Sequence, residues 1–417
     1  MPEVFQPNRD VKPELLGTET LADMSGLKKF NRRLLTFVAP FLVIILLVET
    51  VLWLTGESWP VEKVIRYQRS HPEAVFMRGL LDQAFYRYKF LQLKTVQPKI
   101  LVLGSSRVMK LRKEMFGQGA NSFYNAGGMI QDLEDLRVFV DSLAPESTPE
   151  IVLLGIDLWW FNEHASRRLD NAEDLRSGAT YEAATDWQAH LKALRSFESK
   201  KVFRPAFRAL LASNGNVGIQ ARNSGAGFRP DGSLKDDDVL RMHYRFALPQ
   251  NASEWQFKDR EDPPIPERIK NGWRQFASAS GLSLESLSSL KDSLERLKAR
   301  KVMVLGFLPP FSSECATLLA TSPGQSNLWN EFRSAVPALF EKLNLPCVDA
   351  TDTSALHLDD TYLVDGIHTQ ETFHIHLLLR FLEDPNVERL FPGLRPHLER
   401  MISSPRTNPW YPDYQAN

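Results

Sequence analysis

One segment of this chain is too long and too apolar for an ordinary soluble core. Residues 34–54 are almost entirely apolar, and Glu49 is their only charged residue. At about 1.5 Å per residue, such a helix is roughly 31 Å long, which is enough to cross the hydrocarbon core of a bilayer. Basic residues come directly before it: Lys28, Lys29, Arg32 and Arg33. We therefore predict a transmembrane helix at 34–54, with residues 1–33 as a mobile cytoplasmic tail and the main body across the membrane.

A cleaved signal peptide is the alternative interpretation of this segment. Its apolar run is longer than a typical h-region, and about 33 residues precede it, more than a signal usually has. The following Thr55-Gly56-Glu57-Ser58-Trp59-Pro60 contains no convincing small-x-small cleavage pattern. These features favour an uncleaved anchor. Glu49 lies near the outer end of the helix, where it is expected either to reach the interface or to contact a partner helix.

The remaining composition is that of a globular protein with a packed core. Hydrophobic residues make up 43% of the 417 residues, and one large domain with insertions is compatible with that length. Because 50 Lys and Arg almost balance 51 Asp and Glu, without a long basic run, nucleic acid is not expected as a partner. Cys315 and Cys347 could form a disulfide outside the cytoplasm or act as small core residues, and both interpretations stay open.

Strand and helix patterns alternate through the main body. Short apolar runs predict buried strands at 99–103, at 150–156, at 302–307 and around Cys347 and Val348. Apolar residues at helical spacing predict helices at 132–143, 284–297 and 327–343. This alternation predicts an α/β fold in which helices cover both faces of a parallel sheet.

The domain is predicted at 98–385, with three regions that depart from the alternation. Residues 55–97 carry aromatic and leucine residues at helical spacing, which predicts a stalk that packs onto the domain. Residues 161–282 are predicted to be a mostly helical insertion over the sheet edge or the mouth of the site, with a turn at Arg229-Pro230-Asp231-Gly232-Ser233. Residues 386–417 are rich in Pro, Arg and aromatic residues and are predicted to be an extended tail.

Two short motifs, far apart in the chain, contain side chains suited to nucleophilic catalysis. Gly104-Ser105-Ser106 follows the first predicted strand, and Asp365-Gly366-Ile367-His368 has a carboxylate three residues before an imidazole. Loops beyond the carboxyl ends of parallel strands commonly carry function. Ser106 is therefore a candidate nucleophile, His368 a candidate base and Asp365 a candidate orienting acid. A serine helix cap and an ordinary loop histidine beside a turn aspartate are the alternatives.

Metal or cofactor binding is not predicted. His357, Asp359 and Asp360 lie near the second motif, but their spacing is not specific for metal ligands. A single glycine without a Gly-Lys-Thr pattern is a weak indication of a phosphate-binding loop.

Two further segments are expected at the same sheet edge. Phe123-Tyr124-Asn125-Ala126-Gly127-Gly128 would bring backbone N–H donors near Ser106, and Leu154-Gly155-Ile156-Asp157 ends a predicted strand with a polar side chain. Ordinary turn glycines and a helix-capping aspartate are the alternative interpretations of these segments.

In chain order, Gly104-Ser105-Ser106, Gly127, Gly155-x-Asp157 and Asp365-x-x-His368 resemble the four blocks of the SGNH (GDSL-like) hydrolase superfamily. The resemblance covers roughly half of the chain. It implies a flavodoxin-like α/β fold and ester hydrolysis or acyl transfer by a Ser106–His368–Asp365 triad. It also implies that the backbone of Ser106 and Gly127 forms much of the oxyanion hole.

The sequence departs from that pattern in two blocks. The usual Gly-Asp-Ser is Gly-Ser-Ser here, and the usual Gly-x-Asn-Asp is Gly155-Ile156-Asp157. An ionised Asp157 cannot donate a hydrogen bond to an oxyanion. We expect it to position Arg107 or a substrate hydroxyl instead.

With a Gly-Ser-Ser motif and an N-terminal anchor, this chain is similar to accessory proteins of cell-envelope acylation. Examples are the alginate O-acetylation proteins and the D-alanyl transfer protein of teichoic acid assembly. This similarity implies a single-pass protein of the bacterial inner membrane, with its catalytic domain in the periplasm or outside the cell. It also implies a membrane-bound O-acyltransferase as partner and O-acetylation of a polysaccharide. An esterase of the same fold and a non-catalytic scaffold of an assembly complex are the alternative functions.

Overall fold

A computed structural model describes residues 19–79, 86–165, 200–236 and 263–415. The prediction for most of the cytoplasmic tail, and those for the insertion at 166–199 and 237–262, lie outside the described residues. The strands, in chain order, are Ile100–Leu103 (β1), Phe123–Asn125 (β2), Ile151–Gly155 (β3), Gly227–Phe228 (β4), Leu234–Lys235 (β5), Met303–Leu308 (β6) and Cys347–Asp349 (β7).

Five of these strands form a parallel sheet at the centre of the described protein. Their order is β2-β1-β3-β6-β7, and β4 and β5 form a separate antiparallel ribbon. The register places Leu101 opposite both Tyr124 of β2 and Val152 of β3. The predicted α/β fold with a parallel sheet is therefore confirmed.

The helices follow the chain order, with 3₁₀ turns between several of them. The α-helices are Glu19–Leu54 (α1), Val61–Ser70 (α2), Tyr86–Val96 (α3), Leu133–Ser142 (α4), Lys200–Leu211 (α5), Ile219–Ser224 (α6), Ile265–Asn271 (α7), Leu284–Ala299 (α8), Ser313–Thr321 (α9), Ser326–Lys342 (α10), Glu371–Phe381 (α11), Pro385–Leu390 (α12) and Leu394–Ser403 (α13). The 3₁₀ segments are Ser106–Val108, Lys113–Ser122, Pro145–Ser147, Leu158–Phe161, Arg274–Phe276, Thr353–Leu356 and Asp360–Tyr362.

Helices cover the sheet on both faces, because successive strand residues point to opposite sides. Leu101 and Val152 belong to a core cluster that includes residues of α4, α8 and α10. Val102 and Leu153 belong to a second cluster with residues of α11 and α13. Each strand is thus buried on both sides, which explains why its sequence is a continuous apolar run.

The predicted helices of the sheet layers are present with small shifts at their ends. Asp132 is the N-cap of α4 instead of its first residue, since its Oδ1 accepts a hydrogen bond from the Asp135 N–H at 2.9 Å. Ser283 caps α8 in the same way, accepting from the Ser286 N–H at 3.2 Å. These caps satisfy N–H groups that the first helical turn leaves without partners.

The N-terminal helix agrees with the predicted membrane span. Gly26–Leu54 within α1 is long and apolar enough to cross a membrane. Most of its large apolar side chains are exposed, and Val48 and Leu52, near its C-terminal end, are the buried ones in the described part of the helix. A long helix that exposes its apolar residues along most of its length suits a lipid environment.

The segment between α1 and β1 is packed onto the body. Val64 of α2 and Tyr88 of α3 are buried in a cluster with Val217 and Phe228. The buried Gln68 side chain donates a hydrogen bond to the Phe228 carbonyl at 3.0 Å. These contacts make α2 and α3 part of the folded core.

The described part of the insertion is helical, as predicted, but also contains the β4–β5 ribbon. The predicted turn joins these two strands, with the Gly232 N–H donating to the Arg229 carbonyl at 2.9 Å. The Asn125 N–H of β2 donates to the Asp231 carbonyl at 2.8 Å, so the turn lies against the sheet edge. Gly232 has a φ of +80°, and a Cβ there would lie 2.2 Å from the Asn125 carbonyl oxygen. The approach therefore requires glycine.

The prediction of an extended C-terminal tail is wrong. Residues 385–390 and 394–403 form α12 and α13, and Leu398 and Met401 of α13 are buried in the core. Pro385 occupies the first turn of α12, where its missing N–H costs no helical hydrogen bond. The His397 ring packs at the segment after β1, its Nε2 lying 2.8 Å from the Glu114 carbonyl oxygen.

Candidate active site

Ser106 lies in a tight turn directly after β1. Gly104 begins the turn with a φ of +146°, and a Cβ there would lie 2.9 Å from Val108 Cγ1 and 3.0 Å from the Gly155 carbonyl oxygen. Ser105 is the N-cap of the 3₁₀ helix that follows, accepting a hydrogen bond from the Arg107 N–H at 3.3 Å. Ser105 therefore supports the turn, and the exposed Ser106 side chain is presented to solvent.

The aspartate and histidine of the second motif share one compact turn before α11. Asp365 Oδ1 accepts hydrogen bonds from the N–H groups of Ile367 and His368, at 2.8 and 2.7 Å. The Val364 N–H donates to the His368 carbonyl at 2.7 Å and closes the turn. A Cβ on Gly366 would lie 2.7 Å from Cys315 Sγ, so the turn packs tightly on α9.

Cys315 and Cys347 are both free thiols.

The two motifs meet at the carboxyl edge of the sheet. Ser106 Oγ lies 2.8 Å from His368 Nε2, and His368 Nδ1 lies 2.7 Å from Asp365 Oδ2. With a proton on Nδ1, the imidazole donates to Asp365 and leaves Nε2 to accept the Ser106 proton. The structure thus brings together the three residues that the sequence predicts as a triad.

Asp365 is held in its ionised form within this arrangement. Burial alone raises its pKa, but the His368 contact and the two backbone N–H donors outweigh burial, so the pKa lies below its ordinary value. An ionised carboxylate fixes the imidazole orientation and stabilises the imidazolium that forms on proton transfer.

Arg107, next to the candidate nucleophile, joins the loops that form the site. Its side chain is buried and donates hydrogen bonds to the carbonyl oxygens of Ile367, at 3.0 Å, and Pro310. Its third contact is with Asp157 Oδ1 at 3.1 Å. Arg107 therefore links the Ser106 turn directly to the His368 turn, to the end of β3 and to the segment after β6.

Asp157 is the partner of Arg107, one of the two roles expected for it. Both side chains are 1% exposed. Burial raises the pKa of Asp157 above its ordinary value, although the Arg107 charge opposes this rise. The aromatic rings of Phe311 and Trp159 flank the guanidinium, with their centroids 4.4 and 5.5 Å away. The pair is thus a buried structural contact and not an exposed substrate-binding group.

Gly127 does not offer the oxyanion donor that was expected. Its N–H donates to Asn125 Oδ1 at 2.7 Å. The Asn125 amide in turn donates to the carbonyls of Val108 and Leu111, both at 2.8 Å. The Asn125 side chain thus occupies the Gly127 N–H and also holds the segment after Ser106. The prediction that Gly127 donates to the oxyanion hole is therefore wrong.

The Ser106 backbone N–H remains as a candidate oxyanion donor. Among the described residues it has no hydrogen-bond acceptor, whereas the N–H groups of Arg107 and Val108 are both engaged. An N–H at the start of a 3₁₀ turn, beside the nucleophile, is suitably located to stabilise a developing negative charge.

Lys89 supports the end of β2 and the loop that follows it, which the sequence did not indicate. This buried lysine of α3 donates to the carbonyl oxygens of Gly127 at 2.5 Å and of Asn125 at 3.3 Å. Burial lowers its pKa well below the ordinary value, although Asp231 opposes this. A lysine within an apparent stalk gives no local signal of such a role, since the contact depends on how α3 packs.

Ser106 and His368 line a cleft of about 1170 Å³. Its walls come from the start of α4, the 3₁₀ turn after β3, α7 and the start of α8. Among the lining residues are Gln131, Glu134, Trp159, Trp160, Asn162, Glu163, Arg268 and Glu285. Trp160 is buried, and its Nε1 has no hydrogen-bond acceptor within the described residues. The cleft thus combines aromatic surface with many polar groups.

The described part of the chain offers no clear set of metal ligands. No group of three or more His, Cys, Asp or Glu residues is suitably clustered there. Asp359 and Asp360 are used locally, since Asp359 caps a 3₁₀ turn and Asp360 accepts from the Ser313 N–H at 3.0 Å.

Comparison with known proteins adds no family assignment. No protein-family model matches this sequence, and no curated protein matches it.

Proposed function

We propose that this protein is a membrane-anchored, extracytoplasmic serine acyltransferase that O-acetylates a cell-envelope or exported polysaccharide. The observation that carries the proposal is the chain of hydrogen bonds from Asp365 through His368 to the Ser106 hydroxyl. A serine that only caps a helix does not need a histidine beside its hydroxyl group, whereas a serine nucleophile needs such a base to activate it.

The fold supports the resemblance to SGNH hydrolases. Without the small ribbon, the sheet strands follow the order 2-1-3-4-5 of flavodoxin-like sheets. Ser106 follows β1, where the strand order reverses: β2 lies on one side of β1, and β3 and the later strands lie on the other. Ligands of open α/β sheets bind in the crevice that forms there.

Acyl transfer would proceed in two steps at this site. Ser106 Oγ attacks the acyl carbonyl of a donor ester while His368 Nε2 takes its proton, and the Ser106 N–H stabilises the tetrahedral oxyanion. The donor alcohol leaves with the proton from His368, and the acyl group remains on Ser106. A sugar hydroxyl then gives its proton to His368 and attacks this ester, which releases the acetylated sugar and restores the serine.

The cleft supports a polymeric acceptor. Its volume exceeds the usual range of small-molecule sites, about 300–1,000 Å³. Trp159, which is partly exposed, offers apolar surface for a sugar ring, while Gln131, Asn162 and Glu163 offer polar groups for hydroxyls.

The N-terminal anchor supports acyl transfer next to the membrane. The basic residues before α1 favour an N-terminus in the cytoplasm and a body on the outside. An acyl donor outside the cytoplasm has to be supplied across the bilayer. We therefore propose a membrane-bound O-acyltransferase as partner, as the resemblance to envelope acylation proteins implies.

The test is acetyl transfer from an activated ester, p-nitrophenyl acetate, to glycan acceptors by the full-length protein. Ser106→Ala and His368→Ala should each lower turnover about 10³-fold or more, and Asp365→Ala somewhat less, because triad members act as a unit. Ser105→Ala is the matched control, and its turnover should stay within about tenfold of the wild type because the buried Ser105 side chain caps the turn and bonds to Asp157, whereas Ser106 contacts His368. Mass spectrometry should find the acetyl group on Ser106.

Each outcome separates the candidate functions. Acetyl-Ser106 that discharges at the same rate with and without glycan identifies an esterase instead of a transferase. Normal turnover by Ser106→Ala excludes the triad and leaves the scaffold function.

A further inference from the structure

The helix α5 contacts the N-terminal helix α1, and the segment that leads from α5 into α6 is hydrogen-bonded to residues just beyond the C-terminal end of α1. The Gly218 N–H, at the N-cap of α6, donates to the Thr55 carbonyl at 2.8 Å. The Ile219 N–H donates to the buried Glu57 carboxylate at 2.8 Å. A Cβ on Gly56 would lie 2.6 Å from Val217 Cγ1, which shows how closely the two segments approach.

This contact is at the level where α1 leaves the hydrocarbon region. Val48 and Leu52 are buried apolar residues of α1, within the part of the helix whose side chains are described, and the span ends at Leu54. Val48 is therefore about 9 Å from the end of the span at 1.5 Å per residue. Trp53 is exposed at the same end, and Lys63 lies 3.8 Å from the centroid of its ring. Tryptophan and lysine at the end of a span are typical of the membrane interface.

One face of α5 is exposed and has the composition of an interfacial helix. Arg204, Phe207, Arg208 and Leu211 are exposed and follow an i, i+3, i+4, i+7 spacing, which puts them on one face. Phe207 is 55% and Leu211 71% exposed, while Ala206 and Ala209 are buried on the opposite side. Large apolar residues beside cationic ones are the pattern of helices that lie in a bilayer surface.

We propose that α5 lies in the outer surface of the membrane that α1 crosses. Phe207 and Leu211 enter the boundary between headgroups and acyl chains, and Arg204 and Arg208 contact lipid phosphates. Because α5 contacts α1 and both helices expose large apolar side chains, the bilayer is the occupant that we assign to this face. The proposal rests on the membrane anchor of the proposed function and is independent of the chemistry at Ser106.

The test measures the depth of single cysteines in the full-length protein, reconstituted into vesicles of phosphatidylcholine and phosphatidylglycerol. Cys315→Ala and Cys347→Ala provide the background, and an environment-sensitive fluorophore is attached at Phe207→Cys or Leu211→Cys. Lipids that carry a spin label near the headgroup should quench these probes at least about twofold more than a probe at Leu284→Cys. Leu284 is a matched control because this leucine of α8 is 78% exposed.

A probe at Ile44→Cys, measured with lipids that carry the spin label deep in the acyl chains because Ile44 is at the centre of the 34–54 span, separates the inference from the anchor. If Ile44 is quenched while positions 207 and 211 behave like 284, α1 spans the membrane and α5 does not lie in it. If Ile44 is not quenched, the anchor is wrong and the inference falls with it.

The arginines are tested by lipid charge. For the probe at Leu211→Cys, quenching should be stronger in vesicles with phosphatidylglycerol than in phosphatidylcholine alone, and added salt should weaken this difference. Arg204→Gln with Arg208→Gln should remove the difference. Its persistence in that variant would exclude a contact between these arginines and lipid phosphates.

Discussion

Replacing Arg107 by methionine should destabilise the protein more than any exposed charge replacement. The substitution removes three buried hydrogen bonds, to Asp157, Ile367 and Pro310. It also leaves the Asp157 carboxylate buried without its cation. Breaking a buried ion pair by removing one partner costs about 3–5 kcal/mol of unfolding free energy. For a domain of this size that corresponds to a fall in melting temperature of about 6–10 °C, at about 2 °C per kcal/mol.

The assay is thermal unfolding of the full-length protein in detergent, followed by circular dichroism. Arg380→Met is the matched control, since Arg380 forms an exposed pair with Glu383 at the end of α11. Such surface pairs contribute about 0–1 kcal/mol, so the control should melt within about 2 °C of the wild type. Combining Arg107→Met with Asp157→Leu should recover part of the loss, because no charge then remains buried.

Ester turnover gives a second, independent measurement on the same variants. The Ile367 carbonyl that Arg107 holds precedes His368, so turnover should stay low in the double variant even where stability recovers. A melting temperature of Arg107→Met within 2 °C of the wild type would refute the structural role of the pair. A double variant less stable than the single one would refute the argument from buried charge.

Two further perturbations test the packing around the site. Burial lowers the pKa of His374 to about 3 in the folded protein. Below about pH 6.5, the His374 imidazole therefore binds a proton in the unfolded chain but stays neutral in the folded protein. The free energy of unfolding should therefore fall as pH decreases from 6.5 toward 3, by up to about 1.4 kcal/mol per pH unit. The variant His374→Gln should show a smaller fall when melting curves at pH 7.5 and 5 are compared. A pH profile of the variant that matches the wild type would contradict this. Gly366→Ala should cost about 1–3 kcal/mol and lower ester turnover, because the new Cβ meets Cys315 Sγ. Adding Cys315→Ala should restore part of both, and a Gly366→Ala variant as stable as the wild type would exclude the steric argument.

The sheet could be predicted from the sequence because its strands are buried on both faces. β1, β3 and β6 each appear as an apolar run between helical patterns, and such runs have few other stable locations in a globular protein. The three residues of the candidate triad could be predicted too, because a serine after the first strand and an Asp-x-x-His turn are local patterns. Their meeting then follows from the parallel topology.

Features that depend on side-chain orientation could not be predicted. Gly127 has the expected position near Ser106, but Asn125 determines where its N–H points. The contacts of Lys89 depend on the packing of α3, far from any motif. The ribbon strands β4 and β5 have two residues each, which is too short for a periodic signal. In α12 and α13, a composition rich in proline and arginine concealed the spacing of Leu394, Leu398 and Met401.

The position of α13 has a consequence for the order in which the protein can mature. Synthesis delivers Ser106 early, but the apolar side chains that follow it, Met115 and Phe116, share their core cluster with Leu398 and Met401. Until these late residues leave the ribosome, that surface stays uncovered. A chain that is stalled or cut before α13 would expose it to chaperones and proteases. The Gly104-Ser105-Ser106 turn thus gains its full support only after α13 has been synthesised, and the activity proposed for Ser106 would have to wait for that step.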